Sequence, residues 1–187
     1  MAATVPVPDA TEAGAAQRSI AVPAEVVAAA AVTAATAALI RFDLTGRSLV
    51  AALFCAVLVV LSAIDLRDRI IPNRIVVPAG VAVLLGNVVA EPHRATEWTI
   101  AACAAMAGAL VVAVATRGGL GMGDVKLAFL LGAGLGWHVF GGLLWAMAAV
   151  FVVSVAILAR RGLDARKDTI PFGPFLAFGA MLALFLS

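Results

Sequence analysis

The sequence predicts an all-α, polytopic membrane bundle of about seven transmembrane helices, within a range of six to eight, its N-terminus in the cytoplasm. Three observations carry that prediction. The 187 residues are 64% hydrophobic and 13% charged, with a mean hydropathy of +1.09, whereas soluble domains run roughly 45–50% apolar and about 25% charged. The apolar residues fall into long runs separated by short polar joints. The basic residues collect in alternate joints, as they do on the cytoplasmic side of membrane proteins.

Taken in order, residues 1–24 are rich in Ala, Pro and Thr and only mildly polar. No basic segment precedes a short apolar core, so they do not read as a cleavable signal; they read as a disordered cytoplasmic tail. Residues 25–187 form the membrane domain. A helix crossing a ~30 Å hydrocarbon core needs roughly 20 apolar residues. The candidates are 26–40, somewhat short; 49–64; 75–90, with Pro78 near its start, where proline is tolerated; 98–116; 125–136; 139–159; and 172–186. At ~1.5 Å per residue, the fifth reaches only about 18–20 Å.

Charge tests the count. With the N-terminus inside, the inner segments hold Arg18, Arg67, Arg69, Arg74, Arg117, Lys126, Arg160, Arg161, Arg166 and Lys167. The outer segments hold Arg41, Arg47 and Arg94, which completes the 13 Lys and Arg residues. If 125–159 were one span, the cluster at 160–167 would move outside and the bias would vanish. The chain is therefore expected to break near 132–137, where Gly132, Gly134 and Gly136 alternate with other residues. Asp65, Asp68 and Asp124 then lie at the cytoplasmic face.

Several function classes are disfavoured. A net charge of +2 and the lack of Tyr offer neither the basic groove nor the stacking aromatics of a nucleic-acid binder. Cys55 and Cys103 stand singly in apolar runs without the CxxC pairing of a zinc or redox site, and read as two buried thiols. HExxH and GxSxG are absent, and His93 and His138 fall on the outer side. The glycine-rich GGLGMGDVK lacks the GxxxxGK[ST] spacing of a phosphate loop, and Lys126 is expected to reach toward lipid headgroups.

Most acidic residues have plain explanations. Asp9, Glu12 and Glu25 lie in or beside the tail, Asp43 in an outer loop, Glu91 and Glu97 around the second outer loop, and Asp164 and Asp168 in a mixed-charge loop. Asp65, at the inner end of the second span, and Asp124, opening the fifth, stand apart. Carboxylates near hydrocarbon are costly and usually mark a function or a partner. The plain alternatives are an ion pair with Arg67 or Arg69 for Asp65, and a helix N-cap for Asp124. Asp68, among three arginines, reads as a surface residue. Two carboxylates that approach closely cannot both ionise cheaply and share a proton. Such a pair suits hydrolysis of a peptide bond by water, one aspartate taking a proton and the other giving one. Proton or cation binding in a small transporter or scaffold is the alternative.

The segment SAIDLRDRIIPNRIVVP, with Asp65 followed by Ile71, Pro72 and Asn73, resembles the first active-site motif of type IV prepilin peptidases. GMGDVKLAFLLGAGLG, with Gly121, Gly123, Asp124 and Lys126, resembles their GxGD motif, and IPFGPFLAFG the segment opening their last helix. The three motifs cover about residues 48–187. The resemblance implies an intramembrane aspartyl protease with Asp65 and Asp124 as the catalytic pair and no cofactor or metal. Its substrates would be prepilins or pilin-like proteins, each with a basic leader, a glycine at the cut and an apolar helix beyond. Its site would face the cytoplasm from the inner (cytoplasmic) membrane, with lipid as the other partner and no nucleic acid. Longer members add an N-terminal region, often with CxxC pairs, and methylate the new pilin terminus. With no CxxC here, the resemblance points to a short, peptidase-only form. Asn73 is expected to cap the third helix. Pro171, Gly173 and Pro174 are expected to interrupt the start of the last one, freeing backbone groups that could receive substrate.

Overall fold

A computed structural model of the chain describes residues 22–42, 45–117, 120–161 and 172–186. The expectations for the tail up to residue 21, and for Asp43, Gly118, Gly119, Asp164, Asp168 and Pro171, lie outside the described residues. The described chain forms seven α-helices: α1 (Ala24–Arg41), α2 (Gly46–Asp68), α3 (Asn73–Ala90), α4 (Ala95–Ala115), α5 (Met122–Leu135), α6 (Val139–Arg161) and α7 (Gly173–Leu186). Each predicted span falls on one of them to within one residue. By length and composition five stretches can cross a membrane, with Met122–Arg160 counted as one, and Gly173–Leu186 is a shorter apolar helix. The protein is a polytopic helical bundle.

The predicted break is present. A 3-10 turn, Gly136–His138, separates α5 from α6, and Gly136 adopts φ 57°, ψ −137°. A straight continuation would carry Met147 about 35 Å from Asp124, yet both residues line one cavity together with Phe140 and Leu143. The chain therefore folds back at Gly136. A Cβ at that position would lie 3.0 Å from Trp98 Cζ3 and 3.3 Å from Glu97 Oε1, so neither the dihedrals nor the space favour a side chain. Gly136→Ala is expected to cost about 1–3 kcal/mol of stability, read as a lowered thermal midpoint in detergent.

The short α5 is the inner post of the bundle. It packs against α3 and α4, and eight of its 14 residues are buried. At Gly132 the backbones nearly touch: a Cβ would lie 2.6 Å from Ala101 O and from Ala102 Cα on α4. Small residues allow such approach where lipid supplies no hydrophobic drive. Asn87 Nδ2 on α3 donates to Ala133 O on α5 at 2.8 Å, a buried interhelical bond in a bundle with few buried polar groups. Around this post, α2 packs on α3 and α7, and α6 on α7. On α1, by contrast, only Ala38 is buried, and α1 rests mainly on α2. Cys55 is buried as expected, but Cys103 is exposed on the bundle surface, because α4 turns only one stripe inward.

At the end of α2 remote from Asp65, charges expected on the outer side pair with one another. Arg94 binds Glu97 at 2.8 Å and Glu91 at 3.2 Å, and Arg47 reaches Glu91 at 3.3 Å. Both guanidinium groups lie over Trp98, that of Arg47 at 5.7 Å and that of Arg94 at 4.9 Å from its ring centroid. Two of the three basic residues assigned to the outer side are thus paired with acids.

Candidate active site

Asp65 sits on the last turn of α2 and is buried. Arg69 ends that helix in the left-handed region at φ 53°, its N–H returning to Asp65 O at 2.9 Å. The chain then runs through Ile70 and Ile71 to Pro72, which precedes α3 with φ −71°. Proline has no N–H to lose and a preset φ, so it suits a helix start. This short reversal returns the chain beside the start of α5.

Asp124 is the third residue of α5, after Gly121 at the N-cap position. It is therefore not itself the N-cap. Its carboxylate turns back on Gly121, where a Cβ would lie 3.3 Å from Oδ2. Two contacts hold this turn against the α2–α3 reversal. Gly123 lies under Ile71, with a hypothetical Cβ 2.9 Å from Ile71 Cβ, and Lys126 Nζ donates to Asn73 Oδ1 at 2.7 Å. Neither Lys126 nor Asn73 plays the part its local sequence suggests. Lys126 bonds within the protein rather than reaching only for headgroups, and the Asn73 side chain serves Lys126 rather than capping α3, which shows no side-chain cap.

As a result, Asp65 and Asp124, 59 residues apart in sequence, line one cavity of about 260 Å³ together with Ile71, Asn73, Gly121 and Lys126. That volume holds several waters, each occupying about 30 Å³. Asp65 is not paired with Arg67 or Arg69; its Oδ2 accepts the N–H of Gly173, at the start of α7, at 2.8 Å. Of the backbone groups expected to be freed around Pro171, Gly173 and Pro174, the Gly173 N–H is thus occupied. Asp68 stays outside the cavity, exposed and 3.7 Å from Arg67. Among the described residues no three His, Cys, Asp or Glu side chains converge to hold a metal.

A second cavity, about 310 Å³ and almost wholly apolar, meets the first at Asp124. Ala105 and Gly108 on α4, Phe140 and Met147 on α6, and Phe172 before α7 contribute to its walls.

The fold and the cavity define a multi-pass membrane protein with two carboxylates gathered at the ends of separate helices. The profile of the type IV leader peptidase family matches residues 52–186; the chain belongs to that family. It is 36% identical over 157 residues to a prepilin leader peptidase/N-methyltransferase of Burkholderia pseudomallei (strain 1026b), covering 81% of this chain and 50% of that protein. Proteins of the same name from Bacillus subtilis (strain 168) and Escherichia coli (strain K12) are 29% and 32% identical, covering 79% and 70% of this chain and 59% and 60% of theirs. The chain thus spans about half the length of the curated relatives it matches. No solved structure matches it.

Proposed function

We propose that this chain is an aspartic endopeptidase that removes the basic leader of type IV prepilins or pilin-like proteins at the cytoplasmic face of the inner membrane. The observation that carries the reading is the single cavity shared by Asp65 and Asp124. A water between the two carboxylates gives a proton to the ionised aspartate as its oxygen attacks the scissile carbonyl. The protonated aspartate gives its proton to the carbonyl oxygen, so the tetrahedral intermediate forms as a neutral diol. On collapse the C–N bond breaks and the leaving amine takes a proton from the site. The cytoplasmic placement rests on the distribution of Lys and Arg. We ascribe to residues 25–187 the peptidase activity alone; the relatives' names pair it with methyl transfer, and no residue here is assigned to that step.

The test is cleavage by the chain reconstituted in sealed vesicles of a peptide with a basic leader, a glycine and an apolar segment. One cut after the glycine, by enzyme whose cytoplasmic face meets the peptide, is expected. An intact peptide accompanied by proton flux across the vesicle would favour a small transporter that binds protons at its aspartates instead.

The apolar cavity ending at Asp124 suits the substrate's apolar segment. A Cβ on Gly108 would meet nothing within 4 Å, so a larger side chain there projects into open space. Gly108→Leu is expected to raise KM about tenfold, a loss of roughly 1.4 kcal/mol of docking, with kcat retained, as read by steady-state kinetics.

A further inference from the structure

Gly173 opens α7 and is buried. The first four N–H groups of a helix have no partner within it. Here the first of them is taken by a side chain from another helix, 108 residues away in sequence: Asp65 Oδ2, at 2.8 Å. The space a side chain would need is filled by the same group. A Cβ at position 173 would lie 2.7 Å from Asp65 Oδ2, 3.0 Å from its Cγ and 3.1 Å from its Cβ.

The neighbouring donors are directed elsewhere. Ser62, one turn earlier on α2, gives its hydroxyl to Leu58 O at 2.7 Å. Arg67 faces Asp68, and Lys126 faces Asn73. Among the described residues Gly173 is the hydrogen-bond donor to the Asp65 carboxylate.

We propose that Gly173 is a positioning residue for Asp65. Its amide fixes one carboxylate oxygen and leaves the other for the water in the cavity shared with Asp124, and its lack of a side chain is what lets Asp65 reach the amide. This role rests on the reading of Asp65 as a catalytic group.

The experiment has two arms on the full chain. In the first, kcat and KM are measured for Gly173→Ala beside two controls. Gly141→Ala places its Cβ in open space. Gly179→Ala, on the same helix, places its Cβ against Gly142 O and 2.6 Å from Ala146 N, so it disturbs α7 packing away from the aspartates. Gly173→Ala is expected to lower kcat about 10²-fold, as a displacement of roughly 1 Å can, with KM unchanged. Gly179→Ala is expected to lower the thermal midpoint without that loss of kcat in the folded fraction. Wild-type kcat in Gly173→Ala, or a change confined to KM, would overturn the proposal. The second arm needs no activity: exchange of the Gly173 amide, followed by NMR, is expected to speed up about tenfold or more in Asp65→Ala and to stay unchanged in Asp68→Ala. Unchanged exchange in Asp65→Ala would overturn the contact itself. Exchange that follows Asp65, together with an Asp65→Asn enzyme of wild-type rate, would overturn the catalytic reading of Asp65 and the positioning role with it.

Discussion

Asp65→Asn and Asp124→Asn are each expected to slow leader cleavage by about 10²–10⁴-fold, the range for loss of a positioned acid or base. Asparagine keeps the size of the side chain and removes its capacity to hold or release the proton. Asp65 is buried against Gly173, and Asn retains an oxygen able to accept that N–H, so the variant should still insert and fold. Asp124 is half-buried at the mouth of two cavities, which leaves room for the amide. Asp68→Asn serves as the nearby control. Its carboxylate is exposed and 3.7 Å from Arg67, and an exposed pair of this kind contributes about 0–1 kcal/mol, so nearly full activity is expected. The check is initial cleavage rate normalised to inserted protein.

Gly123→Val is expected to lower the cleavage rate about 10²-fold by moving Asp124 rather than by removing it. The glycine lies where a Cβ would meet Ile71 Cβ at 2.9 Å. That contact and the Lys126–Asn73 bond at 2.7 Å hold the start of α5 to the α2–α3 reversal. A side chain at 123 wedges the two apart and widens the gap between the carboxylates. Trimming the facing residue should restore space: Ile71→Ala in the Gly123→Val background is expected to recover part of the lost rate, although Ile71→Ala alone lowers stability. A double variant no faster than Gly123→Val would show that the glycine serves another purpose.

Much of the fold was legible because membrane helices announce themselves: each needs a continuous apolar run, and lipid leaves the backbone no other way to satisfy itself. The reversal at Gly136 was legible indirectly. Arg160 to Lys167 could stay on the inner side only if the chain turned between 125 and 159, and the glycines marked where. The two aspartates were conspicuous as charges at the ends of apolar runs, and their motifs matched the family that the comparisons then showed. What the sequence did not reveal was the set of contacts that join distant segments. The bond from Gly173 to Asp65 spans 108 residues. The Lys126–Asn73 bond overrode two local readings, headgroup contact and helix capping, because tertiary packing placed an ammonium beside an amide oxygen. Arg47 and Glu91, 44 residues apart, had no local pattern to link them either. Cys103 was misjudged for the opposite reason: an apolar run shows that a helix is in the membrane, not which of its faces points inward.

The proposed mechanism requires two carboxylates on separate helices to work as one site. Its most direct measurement is the cleavage rate of the Asp65→Asn, Asp124→Asn double variant against each single variant, at matched insertion in the same vesicles. Groups that act as a unit give effects far from additive, so the double variant is predicted to be no slower than the slower single. Multiplying losses, or wild-type cleavage by either single variant, would show that the two aspartates do not act as one site.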